Sequence, residues 1–171
     1  MNTAGIDLGA KGSVVVLSPE GRLLAAHITP LVGGVPDIVA ARLIVASLPR
    51  PLTVWCEQPV KVMRGGQSDS GYIALCASLK FWKAAFGKTK LNIVSPKTWE
   101  SAVLTGIQGK GKERAINWCR VFLKDLDLYP GRCTVPFDGL SDGAGIAEYG
   151  RRIGKCGRAT SSSSPAPPAA E

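Results

Sequence analysis

Residues 3–18, TAGIDLGAKGSVVVLS, decide how the chain begins to fold. An apolar run at 3–8 and a valine-rich run at 12–18 are separated by a short stretch that contains glycine, which predicts two strands joined by a turn. Residues 18–21, SPEG, have the composition of a second turn, and another apolar run follows at 22–29. The N-terminal part is therefore predicted to be a meander of three strands.

The remaining pattern extends this meander into an α/β domain. Two further strands are predicted at 52–57 and 91–94. Helices are predicted at 35–48, 69–86, 96–104, 112–126 and 138–150. This order predicts a five-stranded mixed sheet with helices on both faces. The first and fourth strands are the most apolar and should lie centrally; if they are parallel neighbours, Asp7 and Glu57 emerge close together.

Four acids stand at the ends of apolar runs or at the start of a helical one: Asp7, Glu57, Asp138 and Asp142. Asp138 and Asp142 are four residues apart, so on one helix their Cβ atoms lie about 6 Å from each other on one face. Carboxylate oxygens without a His or Cys cluster favour Mg²⁺ or Mn²⁺ over zinc. Two such ions about 4 Å apart can activate water and stabilise the leaving oxygen in phosphodiester hydrolysis. The pattern is typical of a metal-dependent nuclease.

Each acid also has a purely structural interpretation. Asp7 could cap a turn before Gly9, and Glu57 could belong to an interior ion pair. Asp138 could serve only as a helix cap. Asp142 could be a solvated position, but it cannot be a cap because it lies one turn inside the helix.

The charge distribution predicts a polyanionic partner. Lys and Arg outnumber Asp and Glu by eight, and residues 61–114 hold ten basic residues but only three acidic ones. A clustered basic surface of this kind favours nucleic acid as a partner. The alternative is a solvated surface that only aids solubility.

Composition limits the compartment and the domain count. The five cysteines are widely spaced and form no C-x-x-C pair, so neither a zinc site nor a disulfide framework is expected. No charged leader precedes an apolar stretch and no run of 18 apolar residues occurs, so we expect no membrane association and a reducing, cytoplasmic location. We expect one domain over 1–158 and a disordered tail, rich in Ser, Pro and Ala, over 159–171.

Six motifs occur in a characteristic order. They are GIDLG at 5–9, EQP at 57–59, RGGQ at 64–67, VSPKTW at 94–99, KGKE at 110–113 and DGLSDGAGIAEYG at 138–150. Each motif is weak alone, but together they resemble the RuvC-type Holliday-junction resolvases, especially the divergent members from bacteriophages and prophages. The resemblance covers about residues 3–152.

The resemblance implies an RNase H-like fold and a crossover junction endodeoxyribonuclease of DNA recombination and repair. It implies a homodimer that places paired nicks symmetrically in a four-way DNA junction, in the cytoplasm of a bacterial or phage-infected cell. Two Mg²⁺ ions per active site are implied, with Mn²⁺ as a substitute. Asp7, Glu57 and Asp142 would be metal ligands. Asp138 would be the fourth, although it stands four residues before Asp142 where cellular members have a spacing of three.

The resemblance also implies contacts to DNA and to a second subunit. Lys97 resembles a family lysine near the scissile phosphate, although a solvated first-turn lysine is the alternative. Residues 61–67 resemble the segment that enters the junction, and residues 69–86 resemble the dimerisation helix. The implied DNA-binding residues are Lys61, Arg64, Gln67, Lys97, Lys110, Lys112 and Arg114. Tyr72 or Trp82 could stack on an unpaired base, but aromatic residues at helical spacing more often belong to a core.

Other functions share parts of this pattern. An opening Asp-x-Gly strand also begins the actin-like ATPases and sugar kinases, but those need two such domains and usually far more than 171 residues. A non-catalytic DNA-binding module is disfavoured because bare carboxylates repel the phosphate backbone. An RNA–DNA hybrid nuclease shares the fold and the metal chemistry, and a debranching role on other branched intermediates is also open.

Overall fold

A computed structural model describes residues 1–9, 11–61 and 69–159, without the side chains of 156–159. The strands are β1 (Asn2–Asp7), β2 (Ser13–Leu17), β3 (Leu23–Ile28), β4 (Leu31–Val32), β5 (Val35–Pro36), β6 (Leu52–Glu57) and β7 (Leu91–Val94). The helices are α1 (Ile38–Ser47), α2 (Asp69–Phe86), α3 (Pro96–Val103), α4 (Lys112–Phe122) and α5 (Asp138–Ala159).

The main sheet has five strands in the order β3-β2-β1-β6-β7. The three N-terminal strands pair antiparallel, whereas β6 is parallel to both β1 and β7. The central position of β1 and β6 follows from their sequences, since Ala4, Ile6, Val54 and Cys56 are fully buried. The predicted mixed sheet is confirmed, with β1 and β6 as parallel neighbours.

Helices cover both faces of the sheet, as predicted. Side chains alternate along a strand, so Ile6 and Val14 point to one face and Val15 to the other. The first face packs against α1 and α2 through residues such as Trp82. The second packs against α3, α4 and α5 through residues such as Trp99.

Three predicted helices have wrong boundaries, the first two for a local reason. The helix predicted at 35–48 begins only at Ile38, because the residues before it form the small β4–β5 hairpin. Asp37 is its cap, and its Oδ1 accepts from the backbone N–H groups of Val39 and Ala40 at 2.9 and 3.1 Å. The helix predicted at 112–126 ends at Phe122.

The segment after α4 forms local turns instead of a helix. The Asp127 carboxylate accepts from the backbone N–H of Tyr129 at 2.8 Å, a contact within the turn that competes with helical hydrogen bonding. Leu126 and Leu128 nevertheless remain buried against the second core. The apolar periodicity therefore identified the buried side of this segment but not its backbone.

The last helix is longer than predicted. Gly150 does not end it; α5 continues to Ala159, which is the first residue of the predicted tail. Gly150 is a packing position, where a Cβ would overlap the Trp55 indole ring. Residues 160–171, with the rest of the predicted tail, lie outside the described residues. Among the helices of the described ranges, none combines the length and apolar character that a membrane crossing needs.

Candidate active site

The ends of β1 and β6 place two acids side by side. The parallel ladder pairs Ile6 with Cys56, and Asp7 and Glu57 are the next residue on each strand. Ile6 and Cys56 point toward α1 and α2, so the two acids point to the opposite face, toward α5. The carboxyl ends of these strands therefore form one edge of the candidate site.

The first turns of α5 bring the other two acids to this edge. Ser13 Oγ donates to the Gly139 carbonyl oxygen at 2.7 Å, which fixes the start of α5 against β2. The backbone of Gly139 also abuts the Lys11 carbonyl, and a Cβ at this glycine would lie 3.0 Å from Asp7 Oδ2. Asp138 begins the helix and Asp142 follows one turn later on the same side. A larger residue at 139 would hold the helix away from Asp7.

The acids affect one another strongly because they are enclosed together. Burial raises the pKa of Asp7 well above its usual range, and the charges of Asp142 and Glu57 raise it further. Burial also raises the pKa of Asp142 to about 7, with the charges of Glu57 and Asp138 adding to the effect. Carboxylates in this state stay ionised together only when a cation compensates them.

Glu57 is held by a tryptophan from α3. Burial raises the pKa of Glu57, while the hydrogen bond from Trp99 works in the opposite direction. Trp99 Nε1 donates to Glu57 Oε1 at 2.9 Å. The ring fits because α5 has glycine at 145, where a Cβ would lie 2.6 Å from Trp99 Cζ3. This glycine, unfavourable for a helix by about 1 kcal/mol, makes room for the residue that orients Glu57.

Asp138 differs from the other three acids because it already has a cationic partner. Lys112 Nζ, from the first residue of α4, forms an ion pair with Asp138 Oδ2. Burial alone would raise the pKa of Asp138, but the hydrogen bond and charge of Lys112 lower it overall. The pKa of Lys112 is raised, first by this hydrogen bond. The ammonium group therefore stands beside the acids as a local counter-charge.

The donor set suits a hard divalent cation, but the side chains are not arranged around one point. The thiols of Cys56 and Cys119, which sense the charge of these acids, have their pKa raised to about 12 by burial, so only oxygen donors are available there. Within 1–9, 11–61 and 69–159, no three His, Cys, Asp or Glu side chains are arranged to hold a metal ion together. Trp99 engages only Oε1 of Glu57, whereas Asp138 is paired with Lys112, so joint coordination requires Asp138 to leave its lysine partner.

Two further charged residues near the acids were missed in the sequence analysis. The charge of Glu100, on α3, raises the pKa of both Glu57 and Asp142. Lys11, in the β1–β2 turn, is exposed, and its charge helps to lower the pKa of Asp138. Glu100 directly follows the VSPKTW motif, which was the available signal. The position of Lys11 depends on the contact between its turn and α5, and no local pattern indicates that contact.

The predicted DNA-binding residues have different environments. Lys97 and Lys110 are exposed. Arg114 donates to the Leu104 carbonyl oxygen at 2.5 Å and so joins α4 to the end of α3. Lys61 Nζ pairs with Asp69 Oδ1 at 2.7 Å, although both side chains are mostly exposed. Arg64 and Gln67, with most of the segment predicted to enter a junction, lie outside the described residues.

Aromatic stacking by Trp82 is ruled out, because this side chain is fully buried among core residues. Tyr72 is partly exposed and stays a candidate. His27 does not belong to the acid cluster: it lines a cavity of about 600 Å³ with Asp125 and Asp127, and burial lowers its pKa. None of the four acids lines this cavity, so it is not the candidate site.

The chain is a mixed α/β protein in which acidic residues meet at the ends of two parallel strands and the start of a packed helix. The fold of this chain is that of RuvC. RuvC from Thermus thermophilus in complex with a Holliday-junction substrate is 20% identical, with a TM-score of 0.66 over 92% of this chain and 96% of that one. Another T. thermophilus RuvC structure is 20% identical, with a TM-score of 0.58 over 90% and 97%. No protein-family model and no curated protein matches the sequence.

Proposed function

We propose that the chain is a Mg²⁺-dependent endodeoxyribonuclease that cuts branched DNA, with four-way junctions as its preferred substrate. The observation that carries this proposal is the meeting of Asp7, Glu57, Asp138 and Asp142 beside Lys112. Acids alone would repel DNA, but a bound divalent cation reverses that effect. The similarity of the fold to a RuvC solved with a Holliday junction supports the choice of substrate.

The residues of the site would have separate tasks. Asp7, Glu57 and Asp142 would hold the ions, and Asp138 would join them when it leaves Lys112. Bound ions would supply an activated water and charge neutralisation at the leaving oxygen. Trp99 keeps one oxygen of Glu57 in a fixed direction through its 2.9 Å hydrogen bond.

The basic residues around the site would bind the phosphate backbone. Lys97 and Lys110 are exposed on α3 and before α4, and Lys112 is beside Asp138. Lysines bind phosphate as point charges, so these three would attract the strand and orient it across the acids. Once Asp138 turns to a metal ion, the Lys112 ammonium would be available to a phosphate oxygen.

Symmetric nicking of a four-way junction needs two copies of the site. We propose a homodimer that pairs through α2, whose Ile73 is 62% exposed and whose Tyr72 is 38% exposed. A large apolar side chain at this exposure is a natural contact residue in a subunit interface. Lys61, the first residue of the segment that would enter the junction, forms an ion pair with Asp69 at the start of α2.

One cleavage assay tests this proposal. The protein is incubated with Mg²⁺ and end-labelled four-way junction, Y-branch, linear duplex or RNA–DNA hybrid. We expect paired, symmetric nicks in the junction, and loss of at least about 100-fold in rate for Asp142→Asn. Asp125→Asn, which changes an exposed acid outside the site, is the control and should cut normally. Cleavage of the hybrid alone would favour the hybrid nuclease, and junction binding without cleavage would favour a non-catalytic module. ATP hydrolysis without DNA cleavage contradicts the proposal.

A further inference from the structure

The loop after β1 is held by a side chain from a distant helix. β1 ends at Asp7 and Gly9 has φ of +123°, so the Gly9 N–H lies outside the sheet. The Gly9 N–H donates instead to Ser78 Oγ on α2, at 3.1 Å. Ser78 is 9% exposed and Gly9 is half-buried, so the bond is partly buried. The two residues are 69 positions apart in the chain.

The other anchors of this loop are made by the backbone. Gly12 N–H donates to the Gly9 carbonyl at 3.1 Å, and Thr29 N–H donates to the Gly12 carbonyl at 2.8 Å. The Lys11 carbonyl meets Gly139 at the start of α5. Within the described residues, Ser78 is therefore the side chain that anchors this loop. A substitution at position 78 removes this anchor without changing the backbone.

The position of Ser78 on α2 indicates why a hydroxyl is present there. Ser78, Trp82 and Phe86 follow each other at intervals of four residues and form the buried face of α2. Trp82 and Phe86 pack in the apolar core, where a small apolar residue at 78 would fit equally well. Serine is a weaker helix former than alanine, so the hydrogen bond to Gly9 gives the hydroxyl a specific role.

We propose that Ser78 is a positioning residue that holds the Asp7 carboxylate in the geometry needed for metal binding. Asp7 lies two residues before Gly9 and is close to the other acids, whose charges repel it. Without the anchor, the loop can move and Asp7 can turn away from Asp142 and Glu57. The inference rests on the proposed metal-dependent function. It also gives α2, the helix that follows the proposed junction-entering segment, a direct contact with the loop that follows Asp7.

The test compares Ser78→Ala with Ser78→Thr, which keeps a hydroxyl, and with Ser47→Ala, a serine-to-alanine change on the exposed side of α1. Mg²⁺ affinity is measured by calorimetric titration of the DNA-free protein. Hydrogen exchange of the Gly9 amide is measured by NMR. For Ser78→Ala we expect about a 10-fold weaker Mg²⁺ affinity, the size of effect typical for residues that orient metal ligands, and faster exchange at Gly9. Ser78→Thr should restore both, and Ser47→Ala should change neither.

These readouts decide the inference independently of cleavage. Mg²⁺ affinity and Gly9 exchange in Ser78→Ala that both equal those of the wild type would overturn it. An unprotected Gly9 amide in the wild type would also overturn it. If Ser78→Ala does not fold, Ser78→Cys replaces it, because a thiol is a weaker acceptor, and the same two measurements apply. A wild type that binds Mg²⁺ but cuts no DNA contradicts the proposed function alone, and the Ser78 variants still show whether the anchor acts on the metal site.

Discussion

The two faces of the sheet are joined to their helices in different ways. On the α5 face, backbone packs against backbone: a Cβ at Gly5 would overlap the Gly143 carbonyl and the Ala147 backbone. On the α1 and α2 face, ordinary apolar side chains fill the space, and Trp82 is fully buried there. Side chains can repack after a small change, whereas two backbones in contact cannot.

The acids lie on the α5 face, where the backbones are in close contact. A catalytic or metal-binding group must be held to within about 0.5 Å by its support. Close backbone contact fixes α5, and with it Asp138 and Asp142, relative to Asp7 on β1. The opposite face forms an apolar core, and within the described residues it contacts the loop after β1 through the hydrogen bond that the Gly9 N–H donates to Ser78 Oγ. Substitutions on one face can therefore be tested separately from substitutions on the other.

The largest expected effect is on the α5 face. Gly5→Ala introduces a methyl group into the contact with α5, and we expect a loss of more than about 3 kcal/mol in the free energy of unfolding, or no folded protein. Gly71→Ala on α2 and Gly154→Ala on α5 are matched controls, since a Cβ at either position meets no atom within 4 Å. Each should stabilise by up to about 1 kcal/mol through helix propensity.

The free energy of unfolding of all three variants is measured by urea unfolding followed by circular dichroism. A Gly5→Ala variant as stable as the wild type would show that the α5 face can repack, and the contrast between the faces would disappear. Destabilisation by Gly71→Ala would show instead that α2 has a close contact of its own near this position.

The sequence pattern predicted the sheet because its strands are apolar and bounded by clear turns. It was less successful where local chemistry was ambiguous. Val35 and Pro36 suit both a first helical turn and a strand, and the short hairpin with Leu31 and Val32 decides between them. A glycine such as Gly150 is typical of a helix end, yet the helix continues, and Gly150 is needed because Trp55 from β6 occupies the space beside it. A glycine required by long-range packing cannot be distinguished from a helix-ending glycine by its neighbours in sequence.

In the candidate site, too, apolar patterning predicted some positions, whereas others depend on long-range packing. Asp7 and Glu57 could be placed together because strand order and register follow from apolar patterning. The pairing of Asp138 with Lys112 could not, since it depends on how α4 lies beside α5. Glu100 was overlooked because a partly exposed acid on a helix is ordinarily a solvated residue. Ser78 was overlooked because a buried serine on an apolar helix face has no signal without knowledge of its partner.

The second prediction concerns the pH dependence of the metal-free protein. A carboxyl whose pKa is raised on folding stabilises fully below its unfolded pKa, near 4, and this contribution is lost as the pH rises through the folded value. For Asp142 that value is about 7. Between pH 5 and pH 8 the protein should therefore lose about 2 kcal/mol of stability. Asp142→Asn should remove much of this slope and be more stable than the wild type at pH 8.

Other groups must be separated from this effect. Burial lowers the pKa of His27, so this residue works in the opposite direction over the same range: its contribution is present above the unfolded pKa and is lost as the pH falls. The wild type and Asp142→Asn share His27, so the difference between their thermal unfolding curves, measured in EDTA at several pH values, removes the contribution of His27. This difference reports Asp142 together with its effect on the pKa of Asp7. Parallel curves for the two proteins would mean that neither burial nor the neighbouring charges raise the pKa of Asp142 on folding.

The smallest effect is expected for Lys112→Ala, which distinguishes the contribution of Lys112 to stability from its role near the metal site. Its side chain is 74% exposed, so Lys112→Ala should cost less than about 1 kcal/mol of metal-free stability. The same change removes a positive charge that competes with a cation for Asp138. Mg²⁺ binding to the DNA-free protein should therefore become tighter, by about 2- to 5-fold for a gain of up to about 1 kcal/mol. Lys110→Ala, which removes an exposed lysine two residues earlier, controls for the general loss of charge. If calorimetric titration shows weaker Mg²⁺ binding for Lys112→Ala than for Lys110→Ala, Lys112 supports the metal-binding geometry instead of opposing the ion, and Asp138 then needs its lysine partner even when metal is bound.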